Sequence, residues 1–312
     1  MTAQDDVSAA SARDITLITG ASGFVGKALC AHLQASGIPV VAAVRRRVPG
    51  ACDEALQTVE VGDIDVTTDW ASAVAGVSVV IHLAARAHIL QDNAADPLVL
   101  FRQVNVDGTM QLARAALAAG ARRFVFVSSV GVNGGKNKVP FTVTDLPDPA
   151  EPYALSKLEA EQGLRALLTG TSTELVIVRP PLVYGPDCPG NFRRLLKLIA
   201  TGLPLPLASI RHKRSFVSIW NLVDFLCLCA FHPRAAGEVF LVSDMEDVAL
   251  PDLLRGLASG MRKKLTLLPC SPSLLRFFAG IAGKAPMFDK LCSGLTVDAA
   301  HAREVLGWRP PV

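Results

Sequence analysis

Thr19-Gly20-Ala21-Ser22-Gly23-Phe24-Val25-Gly26 succeeds an apolar run, Ile15 to Ile18, and leads into a helical pattern from Phe24 to about Ser36. A strand, a glycine-rich turn and a helix start are what a nucleotide pyrophosphate requires. Gly20 permits the tight turn, Gly23 lets the backbone approach the phosphates, and Gly26 allows close helix–strand packing. The N–H groups and positive dipole of the new helix face the anion, which brings Ser22, Phe24 and Val25 into the candidate cofactor contacts. The spacing is Gly-x-x-Gly-x-x-Gly rather than Gly-x-Gly-x-x-Gly. An ordinary βα turn would use the same glycines, so the turn alone does not decide for a cofactor.

Further apolar runs occur at Val40–Val44, Val77–Leu83, Phe124–Val127 and Leu175–Val178. Helical patterns lie between most of them, at Val25–Gln34, Trp70–Ala75, Leu98–Ala119 and Tyr153–Leu168. Strands too apolar to have a wet face, alternating with helices, predict a parallel sheet covered on both sides. The expected fold class is α/β, a doubly wound sheet of Rossmann type. No internal repeat or low-complexity segment interrupts it.

The second strand ends in Val44-Arg45-Arg46-Arg47, where an acidic residue would bind the adenosine ribose of NAD. A guanidinium there pairs with a 2′-phosphate instead, so NADP(H) is favoured over NAD, with Arg45 and Ser22 as its contacts. Asp63 and Ile64 come after the third strand, where an Asp can bond an adenine amino group or simply make a turn. Leu83, Ala84 and Ala85 close the fourth strand at the edge where cofactors lie, and His82 before them reads as a satisfied core histidine. Asn105 stands inside a long helix despite poor propensity, as a polar tie from that helix to the active-site strand would require.

Ser128 and Ser129 end the fifth strand, and Tyr153-Ala154-Leu155-Ser156-Lys157 stands some way on, after Pro152 at a helix start. The i, i+4 spacing puts Tyr153 and Lys157 on one helix face. A phenol with an ordinary pKa near ~10 needs a nearby cation to exchange protons at neutrality, and Lys157 supplies one. Ser129 can hydrogen-bond the reacting oxygen. With only two tyrosines in the chain, the joint pattern is far more telling than its parts.

These motifs, together with Arg179-Pro180-Pro181-Leu182-Val183-Tyr184-Gly185-Pro186 and the closing Gly307-Trp308-Arg309-Pro310, resemble the extended short-chain dehydrogenase/reductases. More narrowly, the chain is similar to their nucleotide-sugar epimerase/dehydratase branch. The resemblance implies Ser129, Tyr153 and Lys157 as catalytic residues, with Ser128 on the cofactor side and Pro180 and Val183 near the nicotinamide. It implies Asn191, Arg214 and Arg86 as substrate contacts, the guanidinium of Arg214 forking onto a diphosphate. It also implies a homodimer through Leu98–Ala119 and Tyr153–Leu168. Val132-Asn133-Gly134 departs from the Val-Tyr-Gly of many relatives. Val130 and Gly131 replace the Asp-Glu pair of 4,6-dehydratases, which disfavours that activity.

The expected organisation is a tail at residues 1–13, a dinucleotide domain at 14–180 plus about 214–235, and a smaller, discontinuous C-terminal substrate-binding lobe at about 181–213 and 236–312. The chain has 312 residues, 50% hydrophobic and 19% charged, with net charge +3 and 6% aromatics. That balance disfavours a nucleic-acid partner. Seven cysteines without a Cys-x-x-Cys pair indicate no metal site and fit a reducing cytoplasm. No apolar segment reaches the roughly 18 residues of a membrane span; Ser273–Ile281 is expected to be an ordinary buried helix, the alternative being contact with a membrane surface or a partner. The expected activity is NADPH-dependent reduction of a UDP-4-keto-6-deoxy-hexosamine at C4 in surface-polysaccharide synthesis. The alternative is a UDP-hexose 4-epimerase. A non-catalytic dinucleotide sensor is disfavoured because Tyr153 and Lys157 are both present.

Overall fold

Strands β1 (Thr16–Thr19), β2 (Val40–Val44) and β4 (Val79–His82) are buried at every position, as is most of β5 (Arg123–Val127). Together with β3 (Gln57–Glu60), β6 (Glu174–Arg179) and β9 (Val239–Leu241) they form a parallel sheet ordered β3-β2-β1-β4-β5-β6-β9. The computed structural model describes residues 14–47, 56–87, 96–281, 283 and 285–312. The N-terminal tail expected at 1–13 lies outside the described residues.

Side chains alternate across the strands, so neighbouring residues feed opposite cores. Leu17, Val41, Val80, Phe124 and Phe126 pack with Leu112, Ala116, Ala160 and Leu164 on one face. Ile18, Ala42, Ile81, Val125 and Val178 pack on the other with Leu29, Leu33, Leu222 and Phe225. The covering helices are Thr109–Ala118 and Pro152–Leu168 on the first face, Phe24–Ala35 and Ile219–Phe231 on the second. Doubly buried strands thus read as unbroken apolar runs because neither face meets water.

A second sheet of three strands joins β7 (Leu182–Tyr184), β8 (Lys213–Ser218) and β10 (Asp247–Ala249). Beside it a separate apolar cluster links helix Asn191–Ala200 to helix Leu250–Gly260 through Leu195, Ile199, Leu250 and Leu254. The lobe boundary expected at about 236 needs correction. β9 belongs to the seven-stranded sheet, and Ala302, Leu306 and Trp308 pack in that sheet's core. The Trp308 indole donates to Asp224 at 2.8 Å, and Asn221 holds both backbone groups of Val312. The C-terminal stretch is apolar enough to complete a core that the first 180 residues leave open. Among the described residues, no helix is long and apolar enough to cross a membrane.

Candidate active site

The strand order reverses between β1 and β4, so their carboxyl ends flank a crevice where Thr19 stands level with His82. Such switch points are where open α/β sheets take ligands. Gly20 leaves β1 at φ +68°, and a Cβ on it would sit 2.9 Å from the Ala84 nitrogen. A Cβ on Gly23 would meet the Gly20 carbonyl oxygen at 3.1 Å, and one on Gly26 would meet it at 2.1 Å. Backbone alone can therefore close this turn. Ser22 and Gly23 are exposed at its mouth, while the side chains of Phe24, Val25 and Leu83 pack onto the core. Gly26→Ala is expected to cost about 1–3 kcal/mol of stability by overpacking and to weaken dinucleotide binding. Thermal melts with and without added NAD check this, and an unaltered, ligand-responsive melt would contradict it.

Just past β2 and β3, two residues that the sequence presents separately are partners. The Arg45 guanidinium pairs with Asp63 at 3.0 Å, both side chains about three-quarters exposed. An exposed pair of this kind is worth about 0–1 kcal/mol, so an incoming phosphate can still take the arginine. Ile64 lies against Gly108, where a Cβ would fall 2.4 Å from its methyl group.

Helix Pro97–Arg102 widens into a π turn, Gln103–Gly108, before resuming an α-helical path. Such bulges accompany functional sites. Asn105 sits in this turn, fully buried, and makes a polar tie of the kind its poor helix propensity called for. Its Oδ1 accepts from the Arg86 N–H at 2.8 Å, and Nδ2 donates to the Arg86 carbonyl and to Ser156 Oγ. Both amide protons are thereby used in the tie between the β4 loop and the Tyr153 helix. His82 is satisfied as expected, with Nδ1 2.6 Å from Thr19 Oγ1 and Nε2 2.9 Å from Thr109 Oγ1. Burial, then the nearby Lys157 charge, pushes its pKa down to about 3, so it is neutral.

Ser129 caps a single turn, Val130–Val132, its Oγ accepting from the Gly131 N–H at 3.1 Å. A Cβ on Gly131 would be tight, standing 3.2 Å from that of Ala154. The serine turn and the start of the Tyr153 helix therefore pack closely. Lys157 is buried, its Nζ donating to the Val127 carbonyl at 2.9 Å and lying 4.5 Å from the centroid of the Phe126 ring. Desolvation pushes the Tyr153 phenol up to about 12 and the Lys157 ammonium down to about 7, the latter opposed by Glu161. Lys157 is thus poised near neutrality, where proton exchange is most responsive.

The Ser128 hydroxyl is buried and engaged within the protein. It donates to Glu161 Oε1 at 2.5 Å because Glu161 needs partners in a buried site. Glu161 also receives both Nε and Nη2 of Arg179, at 2.9 and 2.5 Å, and Arg179 Nη1 donates to Asn133 Oδ1. Sequence reasoning missed Glu161. The signal was its place four residues beyond Lys157, on the face that already carried Tyr153. Phe101 was also missed; its ring meets Tyr153 edge-on at 6.1 Å, with Arg86 over it at 5.8 Å.

On the substrate side, Pro180 accepts from the Val130 N–H at 3.0 Å, binding the sixth-strand exit to the serine turn. Val183 in β7 packs on the sheet core. Arg214 lies half-buried on β8, donating from Nη1 to the Ser293 carbonyl at 3.3 Å, and burial lowers its pKa. Asn191 opens its helix, but its side chain lies outside the described residues. No metal-binding cluster of His, Cys, Asp or Glu occurs among the described residues.

A profile of the NAD dependent epimerase/dehydratase family matches residues 16–243. A UDP-glucose 4-epimerase of Vibrio cholerae is 43% identical over 298 residues, covering 95% of this chain and 90% of that protein. An Escherichia coli O157:H7 protein, N-acetyl-alpha-D-glucosaminyl-diphospho-ditrans,octacis-undecaprenol 4-epimerase, is 29% identical over 254 residues, 81% of this chain and 74% of its own. Among solved structures, a UDP-glucuronic acid 4-epimerase from Bacillus cereus in complex with NAD shares the fold at TM-score 0.74 and 22% identity, covering 96% of this chain and 94% of that one. The matched span runs from the first residue of β1 past the end of β9, so the glycine turn, the serine strand and the Tyr153 helix all fall within it, and the chain belongs to the NAD dependent epimerase/dehydratase family.

Proposed function

We propose that this protein inverts C4 of a UDP-linked hexose or N-acetylhexosamine, with NAD retained through the cycle. The observation that carries the reading is the Tyr153–Lys157 face, packed onto the end of β5 at the crevice that Gly20 and Ala84 line. The 43% identical Vibrio cholerae relative supports the 4-epimerase over the 4-keto reductase. A bound nicotinamide supplies removal and return of hydride at C4. Gly20, Gly23 and Gly26 shape the seat for its diphosphate, and Asp63 stands at the adenosine end. Tyr153 takes the proton from the C4 hydroxyl and, once the 4-keto sugar has turned its other face to the site, gives it back to the C4 oxygen. Lys157 stabilises the phenolate by its charge, and Ser129 holds the C4 oxygen. Arg214, and by resemblance Asn191 and Arg86, hold the nucleotide end. We also infer a homodimer through the helices Pro97–Ala118 and Pro152–Leu168.

A second reading, NADPH-dependent 4-keto reduction, is favoured by the missing acid after β2 and by Arg45. One experiment separates the two. The purified protein is denatured and the released nicotinamide identified, then the protein is incubated with UDP-glucose or UDP-N-acetylglucosamine. Recovered NAD and conversion to the C4 epimer without net NADPH use are expected. An empty protein that instead oxidises NADPH with a UDP-4-keto sugar would replace the epimerase by the reductase.

A further inference from the structure

Helix Pro272–Ile281 presents its most apolar stripe outward. Leu274, Phe277, Phe278 and Ile281 recur at i, i+3, i+4 and i+7, which places them on one face. They are 49%, 63%, 57% and 70% exposed. Isolated exposed apolar residues are ordinary, but a contiguous row marks an interaction surface. The helix is held from another side. Leu275 packs against the lobe's apolar cluster, and Arg276 forms a two-pronged ion pair with Asp289 of helix Ala285–Cys292, at 2.7 and 3.0 Å. The outward stripe is therefore a feature of the docked helix.

The chain around the stripe is predominantly basic. Between residues 260 and 290 stand Arg262, Lys263, Lys264, Arg276, Lys284 and Lys290, with Asp289 the lone acid, in a protein whose net charge is only +3. Arg262, Lys263 and Lys264 are exposed, and Leu268 beyond them is 47% exposed. We propose that this helix docks the protein onto an anionic membrane surface. The stripe lies in the boundary between headgroups and acyl chains, and the flanking cations meet lipid phosphates. Ten residues span about 15 Å, too short to cross a hydrocarbon core of about 30 Å, so the attachment is peripheral. A second copy fits the same face poorly, because a two-fold contact would set this basic segment against itself.

The proposal does not depend on whether the reaction is epimerisation or reduction. Its test is co-sedimentation of the full-length protein with phosphatidylcholine vesicles, with and without phosphatidylglycerol. Binding to the anionic vesicles that weakens with added salt is expected. The double variants Phe277→Ser/Phe278→Ser and Lys263→Glu/Lys264→Glu should each lose roughly tenfold or more of that partition while turning over soluble sugar nucleotide as before. Absence of wild-type binding, or binding indifferent to both variants or to lipid charge, would overturn it. So would a wild-type protein that ignores vesicles while the phenylalanine variant shifts from dimer to monomer on size exclusion, which would give the face to a second copy.

Discussion

Tyr153→Phe is expected to lower kcat by roughly 10²–10⁴-fold, the scale of losing a positioned acid–base group, while NAD binding persists. The expectation rests on how little else the substitution touches. The phenol ring is held edge-on by Phe101, a contact phenylalanine keeps, and the helix is anchored independently by Lys157 on the Val127 carbonyl and by Ser156 on Asn105. Only the oxygen is lost. No other phenol stands on this helix, and His82, neutral and with both ring nitrogens engaged by threonine hydroxyls, carries no imidazolium proton to substitute for it. Turnover at saturating substrate, paired with a fluorescence titration of NAD, makes the check. A variant within twofold of the parent rate would remove Tyr153 from the chemistry.

Glu161→Gln should have the largest effect on stability, and it also reaches the chemistry. Glu161 and Arg179 are both nearly fully buried and joined by two hydrogen bonds, with Ser128 and Asn133 completing the set. Breaking such a pair leaves a guanidinium uncompensated away from water, which costs about 3–5 kcal/mol, or roughly 5–10 °C in Tm for a chain of this size. Replacing both partners by apolar residues, as in Glu161→Leu/Arg179→Met, should recover much of that loss. Turnover should not recover with it, because the pair ties the Tyr153 helix to β6 and the serine turn. A double variant as unstable as the single one would refute the account.

Glu161 is also the carboxylate that raises the Lys157 pKa against desolvation. Removing its charge should lower that pKa below about 7 and move the alkaline limb of kcat/KM to lower pH. The stability effect has a definite sign. Lys157 is protonated in both folded and unfolded chains below about pH 7 and in neither above its unfolded value near ~10.5. Between the two, the unfolded state binds the extra proton, so this lysine's contribution makes folding more favourable as pH rises. In Glu161→Gln that window should open at a lower pH. Denaturant midpoints measured across pH 6–10 test it, and a parallel shift of both profiles would exclude a purely structural role.

Much of this protein is legible without coordinates. The strands are readable because burial on both faces removes the polar half of the pattern. The glycine turn is readable because Gly20, at positive φ, and Gly26, with no space for a Cβ, answer to steric demands within eight residues of chain. Tyr153 and Lys157 share a face by helix geometry alone. Tertiary structure decided what depends on elements brought together from afar. β2 beside β3 joins Arg45 to Asp63, two residues that the sequence presents as independent ligand contacts. The π turn carries Asn105 to Arg86 and Ser156, partners that its sequence position, read only as a polar tie, does not name. Ser128, Asn133, Glu161 and Arg179 converge from separate segments because a buried charge must find its partners wherever the fold supplies them. Local periodicity and steric exclusion are written residue by residue, whereas the pairing of buried polar groups exists only once the sheet and its helices have closed around them.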